Sequence, residues 1–310
     1  MDFKNIFNFR SVITFSKIKN TKNDIIFRSS NLDSADSNEV EKLLKQYKIT
    51  TIIDLRSKNE IKNSKDLKLF FPVAIFQDDP LSALSSNQEK EDKSPNKEVV
   101  QSGVKTYDEA TNKQYVRRTY RVDLVNKQYK NKVIWKNLKF KDVLYLLYYY
   151  IMFKPQKGHA YIASKYIAPK GLSGLYIDLV KYSGIEIANV FKRIEKVCDQ
   201  PFLVHCAHGK DRTGIIIALL LSLLKVNRNI IIEDYLTSLR LLKDVNKEIE
   251  KEMIKSGLNQ EFALVTEKAI TDTLNYIDEA YAGVDKYLNF YGFSYDLQES
   301  LRSKLLIQNS

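Results

Sequence analysis

The chain has 310 residues and is 44% hydrophobic, enough to bury a core, which excludes a disordered tail. Its two cysteines, Cys198 and Cys206, are too few for a disulfide framework and read as thiols of a reducing compartment. A net charge of +11 favours anionic partners, namely phosphorylated substrates, acidic membrane surfaces or nucleic acid, although much of it reads as a lysine-rich solvated surface.

In chain order, residues 1–17 lack the apolar and small-residue signature of a signal peptide. DIIFRSS (24–30) reads as a short strand. Residues 34–48 follow with Val40, Leu43, Leu44 and Tyr47 at helical spacing behind Ser37 and Glu39. TTIIDLRS (50–57) reads as a buried strand that delivers Asp54 and Arg56 at its C-terminal end, and LFFPVAIFQ (69–77) as a further short strand. Strand, helix, strand at this spacing predicts an α/β architecture.

A polar surface loop is expected around 85–105, and a basic, aromatic insertion around 117–155. The apolar run at 143–153 is too short to cross a bilayer, which needs about 20 residues. Residues 184–198 have amphipathic helix spacing, PFLVHC (201–206) reads as a buried strand, and TGIIIALLLSLLKV (213–226) as a helix buried all round. A helical C-terminal part is expected around 230–310, interrupted at Gly283. The whole is expected to be a single domain, soluble and cytoplasmic, with no repeat.

HCAHGKDRTG (205–214) falls between the buried strand and the buried helix. Free N–H groups at a helix start favour an anion, and Gly209 and Gly214 allow the backbone to curl into a phosphate-sized nest. Five residues separate Cys206 from Arg212, so the curl brings sulfur and guanidinium to one centre. Arginine can grip two phosphate oxygens at once, and the same positive groups favour a nucleophilic thiolate. Asp211 stands beside Arg212 as a proton donor, Thr213 is placed to hydrogen-bond the sulfur, and Lys210 adds a cation at the rim. Two other readings of Cys206 remain: a metal ligand or an inert piece of core. Cys198, His205, Cys206 and His208 could supply metal ligands, but adjacent His205 and Cys206 point apart, unlike paired zinc knuckles. An inert packed cysteine leaves the neighbouring charges unexplained.

The segment H-C-x-x-G-K-D-R-T-G resembles the signature loop of the cysteine-dependent protein tyrosine phosphatase superfamily, and within it the bacterial and fungal tyrosine-protein phosphatase family. NFR (8–10), FRSSNL (27–32), DLRSKNE (54–60), RTYRVDLVNKQY (118–129), GLSGLYIDLV (171–180), EDY (233–235) and 276–288 resemble further family segments. The resemblance implies a phosphatase fold, with a central, mostly parallel sheet flanked by helices. It makes Cys206 the nucleophile, Arg212 the phosphate clamp and Asp211 the general acid. Ala207, His208, Gly209 and Lys210 become substrate-binding residues, with Lys210 reading substrate charge. His205, Thr213, Asp54 and Arg56 support them. Asp54 is a second acid candidate, although an Asp54–Arg56 pair bracing the loop is the reading preferred. His208 stands where the family carries a small or uncharged residue, and SV follows NFR where the family carries Asp-Leu-Gly-Gly.

The activity implied is phosphomonoester hydrolysis through a cysteinyl-phosphate, with no cofactor and no metal. Phosphotyrosine proteins are the first substrate class, with dual specificity included. The alternatives are a phosphoinositide phosphatase and a catalytically silent phosphate-binding module. Contact of the 117–153 segment with an anionic membrane is weighed against an ordinary flank or a lid. No RNA-binding module is evident, so nucleic acid is not an expected partner. The oligomeric state is left open.

Overall fold

The computed structural model describes residues 3–12, 24–62, 70–73, 104–108 and 113–306. Six strands form one sheet: β1 (Arg10–Ser11), β2 (Ile26–Ser29), β3 (Thr51–Asp54), β4 (Val104–Asp108), β5 (Lys113–Arg121) and β6 (Phe202–His205). Their order is β1-β2-β6-β3-β5-β4. The pairs β2–β6, β6–β3 and β3–β5 are parallel, and the two edge pairs are antiparallel.

Alternation along each strand divides the core. Ile26, Ile53, Phe202 and Val204 face the larger cluster, whereas Phe27, Ile52 and Leu203 face a smaller one with Phe3, Ile6, Leu43 and Phe71. Ser29 pairs with His205, His205 with Asp54, and Asp54 with Arg121. The parallel strands therefore end in one row, and the loops after β2, β3 and β6 leave the sheet side by side. In open α/β sheets ligands bind at this carboxyl end.

The helices follow from the same patterning. α1 (Ser37–Glu41) starts behind Asp36, and not Ser37, because Asp36 and Glu39 form a reciprocal capping box. α2 (Lys58–Ile61) starts behind Ser57, boxed with Glu60. α3 (Lys127–Val133), α4 (Phe140–Ile151) and α5 (Pro155–Tyr166) lead to α6 (Gly171–Tyr182) and α7 (Gly184–Val197). α8 (Asp211–Leu223) is apolar nearly all round, and ten of its residues are buried against the sheet and its neighbours. The chain ends with α9 (Arg228–Leu241), α10 (Asn246–Lys255), α11 (Glu267–Tyr281), α12 (Val284–Phe290) and α13 (Tyr295–Leu305). Gly283, at φ +113°, separates α11 from α12 at the expected break.

Two expectations change. The stretch from 117 is not wholly an insertion, because residues 117–121 belong to β5, which pairs with β3 inside the sheet. Its basic residues hid its strand character. Of the strand expected at 69–77, residues 70–73 are described, and they contribute one parallel bridge, Val73 to Thr119. The polar loop at 85–103 lies outside the described residues, and 104–105 belong to β4.

Candidate active site

Cys206 is the first residue after β6 and is buried to 2% exposure. Arg212 is the second residue of α8. Between them the backbone turns at Gly209, with φ +67°. A Cβ there would lie 2.1 Å from the Ser29 carbonyl oxygen, so this position demands glycine for both conformation and space. Gly214 does different work from that expected of it. It sits inside α8 and lets the helix approach the Tyr235 ring, 2.9 Å from an added Cβ.

The outer side of the loop is held by its carbonyls. Asn31 donates from its backbone N and Nδ2 to the Ala207 oxygen, at 2.9 and 3.0 Å. Asn8 Nδ2 donates to the His208 and Gly209 oxygens at 3.2 and 2.9 Å, and Arg28 Nη2 to the Gly209 oxygen at 2.8 Å. Turning the carbonyls toward these donors leaves the loop N–H groups for the opposite, concave side. Asn8 adopts φ +57°, a left-handed conformation that asparagine tolerates better than most residues.

Beneath lies a buried charge cluster. Asp234 on α9 accepts from Arg10 Nε at 3.0 Å and also pairs with Arg28 Nη1. Burial opposes the Asp234 charge, but the two guanidinium groups outweigh it and hold its carboxyl below the ordinary range. Burial and the neighbouring Arg28 together bring Arg10 down to about 10. The NFR, FRSS and EDY segments thus converge on one support, and the SV after NFR does not prevent that packing.

Arg212 is fixed end-on. Nη1 and Nη2 donate to Glu60 Oε2 and Oε1 at 2.8 and 2.6 Å, and Nη1 lies 3.4 Å from the Leu55 oxygen. Its side-on fork, Nε–H with the other Nη2 proton, makes no hydrogen bond among the described residues, and this is the geometry that can take two oxygens of one anion. Burial works against the Arg212 charge, yet Glu60 and the nearby Cys206 sulfur raise it above the usual guanidinium range. Burial would lift Glu60 also, but Arg212 and Ser57 bring its carboxyl down to about 2.

Asp211 has one oxygen occupied. Oδ1 accepts from Tyr176 Oη at 2.6 Å and from Lys210 Nζ at 3.2 Å, whereas Oδ2 accepts none among the described residues. Tyr176 Oη is 2.9 Å from Tyr235 Oη. Burial, followed by the Asp211 charge, keeps Tyr176 protonated well above its ordinary range, so it remains a donor.

Lys210 departs from the sequence expectation. It is not a rim cation reading substrate charge: it is fully buried, and Nζ donates to the Phe262 and Leu264 oxygens at 2.7 and 3.1 Å. A lysine can serve here because three protons meet three acceptors. Its side chain ties the loop to residues 262–264 and steadies Asp211.

The remaining expected residues fall around the loop. Asp54 is buried, with both oxygens engaged by Arg56 at 2.9–3.2 Å, and Arg56 Nη1 also reaches Asp33 at 2.7 Å. Burial opposes the Asp54 charge, and His205 and Arg56 overcome that, leaving its carboxyl below the ordinary range. His205 Nδ1 is 3.2 Å from the Cys206 oxygen, and burial lowers its pKa despite Asp54. His208 Nε2 lies 3.1 Å from Glu252 on α10. Thr213 Oγ1 is buried and makes no hydrogen bond among the described residues, the Cys206 sulfur included, so the expected contact is not formed here. Cys198 lies apart at the end of α7, with Sγ 3.4 Å from the Glu195 oxygen. No group of three potential metal ligands gathers among the described residues.

Glu60 and Tyr176 have no role evident in the sequence, although both lie in segments that resemble the family's. The Ser57–Glu60 spacing was the available signal: a capping box fixes Glu60 at a helix start beside the strand end.

A curled loop between a parallel strand and a buried helix, with cysteine at one end and a half-engaged arginine at the other, has the layout that the resemblance to the cysteine-dependent phosphatases implies. The narrower assignment follows from the model of the "Tyrosine phosphatase family", which matches residues 1–307: the chain belongs to that family. It is similar to the triple specificity protein phosphatase PtpB of Mycobacterium tuberculosis, 31% identical over 123 residues covering 34% of this chain and 44% of that protein. It is also similar to a tyrosine-protein phosphatase of Nostoc commune, 36% identical over 83 residues, 27% of this chain and 28% of that protein. The matched stretches span less than half the length of these curated relatives.

Proposed function

We propose that the protein hydrolyses phosphomonoesters, foremost phosphotyrosine in proteins, through a covalent phosphate on Cys206. The observation that supports this reading is the side-on fork of Arg212, unengaged among the described residues, at the end of a loop whose carbonyls are tied down by Asn8, Asn31 and Arg28.

In the first step the Cys206 thiolate forms a bond to phosphorus as the ester P–O bond breaks, and protonated Asp211 delivers its proton to the departing oxygen. In the second, Asp211 takes a proton from water as the water oxygen attacks phosphorus; inorganic phosphate leaves and the thiolate returns. Loop N–H groups and Arg212 hold the non-bridging oxygens as charge builds on them, so electrostatic stabilisation carries most of the acceleration. Tyr176 and Lys210 orient Asp211 through Oδ1, leaving Oδ2 for the proton. Asp54 and Arg56 act as a brace: an ionised carboxylate locked by a guanidinium is a poor proton donor.

Phosphoinositide hydrolysis is the second reading. It is favoured by the excess of positive charge, which suits a polyphosphorylated head group. A panel of phosphotyrosine peptides, phosphoserine peptides and phosphoinositides, with Cys206→Ser as control, tests both. Fastest turnover on phosphotyrosine peptides, abolished by Cys206→Ser, is expected. Turnover confined to phosphoinositides overturns the first reading, and binding without turnover on any substrate establishes the silent module instead.

A further inference from the structure

We propose that the α4–α5 hairpin docks this protein on an anionic lipid bilayer. α4 projects Phe140, Leu144, Leu147 and Ile151, at positions i, i+4, i+7 and i+11, on one outward face, and each is about half exposed or more. Its opposite side meets α5, where Tyr145 stacks on Tyr161 and the fully enclosed Asp142 is surrounded by Tyr161, Lys165 and Tyr166. The apolar face is therefore the outside of an ordered hairpin.

The turn between the helices adds a second observation. Phe153 is 92% exposed and adopts φ +54°, a conformation that normally selects glycine. A bulky ring held there in water gains no packing from the rest of the chain. At the tip of a hairpin it is placed to enter a lipid interface, as is Trp135, which is 57% exposed just before α4.

Charge decides the occupant. Residues 127–170 carry ten lysines and one acidic residue, Asp142, against a net charge of +11 for the whole chain. Lys136, Lys139 and Lys141 at one end of α4, and Lys154 and Lys157 beyond the other, are all exposed. A second copy of this chain would bring the same lysines against one another. An anionic bilayer meets both features, with acyl chains for the apolar face and lipid phosphates for the lysines. α4 has 12 residues, about 18 Å, well short of the ~30 Å hydrocarbon core, so it lies in the interface and does not span it.

The hairpin also connects to the candidate active site. Gly257, which follows α10, packs on the α5 backbone so closely that an added Cβ would lie 1.9 Å from the Ala160 oxygen, and Phe262 just beyond holds Lys210. α5 leads into α6, which carries Tyr176. Docking would thus hold the phosphate loop close to the membrane surface.

The test uses the full chain with vesicles of phosphatidylcholine alone or with 30% phosphatidylserine, read by co-sedimentation at ~0.1 and ~0.5 M salt. Binding to the anionic vesicles, weakened by salt, is expected. Leu147→Ser with Ile151→Ser and Phe153→Ser should weaken it at least about tenfold, and replacing Lys139, Lys141 and Lys154 by Gln should weaken it about fivefold per residue. Both variants should keep the wild-type unfolding transition and turnover of a soluble aryl phosphate, since all six side chains are exposed. Cys206→Ser should bind vesicles as the wild type does, so failure of the docking idea and failure of the phosphatase reading remain distinguishable. Absent binding, or equal binding to both vesicle types, overturns the proposal. So does a dimer in sedimentation velocity that the serine variant dissociates, or a lipid-free change in turnover in that variant, which would assign the face to a second copy or to a lid.

Discussion

Gly209→Ala isolates the geometry of the phosphate loop without touching a reacting group. The native φ of +67° costs an alanine about 1 kcal/mol or more. The new methyl would also sit 2.1 Å from the Ser29 carbonyl oxygen, whereas ordinary contact begins near 3.4 Å, so the backbone must yield by about 1.3 Å. Ser29 is fixed in β2 opposite His205, so the yielding falls on the loop. Misplacing a reacting group by ~1 Å costs on the order of 100-fold in rate. A fall in kcat/KM of about two orders of magnitude on an aryl phosphate is expected, with a loss of stability of only about 1–3 kcal/mol by urea denaturation. A folded Gly209→Ala protein within threefold of wild-type activity would refute the claim that this curl positions the chemistry.

Tyr176→Phe removes the 2.6 Å bond to Asp211 and should slow poor leaving groups roughly tenfold while sparing good ones; equal slowing across a series of aryl phosphates contradicts an orienting role. Asp234→Asn leaves Arg10 and Arg28 without their buried counter-charge and should cost about 3–5 kcal/mol in chemical denaturation, and a loss below 1 kcal/mol contradicts the proposed support. Glu60→Gln tests linkage. The Glu60 carboxyl falls from an ordinary 4.5 to about 2 on folding, so its stabilisation is present above ~4.5 and disappears as pH drops toward 2. The stability gap between wild type and Glu60→Gln should therefore be full at pH 6 and shrink below about pH 5, and a gap independent of pH rejects the pairing.

Much of this architecture was legible because it rests on local patterns. A β-branched run marked β3, an apolar run marked β6, all-round apolarity marked α8, and the spacing of Cys206 and Arg212 put them at the two ends of one strand-to-helix loop. Less legible were contacts made by residues distant in sequence. Lys210 looks like a surface cation in any linear reading, and the carbonyls of Phe262 and Leu264, more than 50 residues away, join Asp211 in making its burial tolerable. Arg10, Arg28 and Asp234 likewise have no local reason to be buried. β5 was obscured because the basic residues of 117–121 mask its alternation, and its place beside β3 is a tertiary fact.

The proposed chemistry turns on a covalent bond between the Cys206 sulfur and phosphorus. Intact-protein and peptide mass spectrometry on enzyme acid-quenched during turnover of an aryl phosphate tests it directly. A phosphoryl adduct on the peptide containing Cys206, absent from Cys206→Ser together with all turnover, is the predicted result. Continued turnover by Cys206→Ser, or wild-type turnover in which no phosphoryl group ever resides on that peptide, would contradict it.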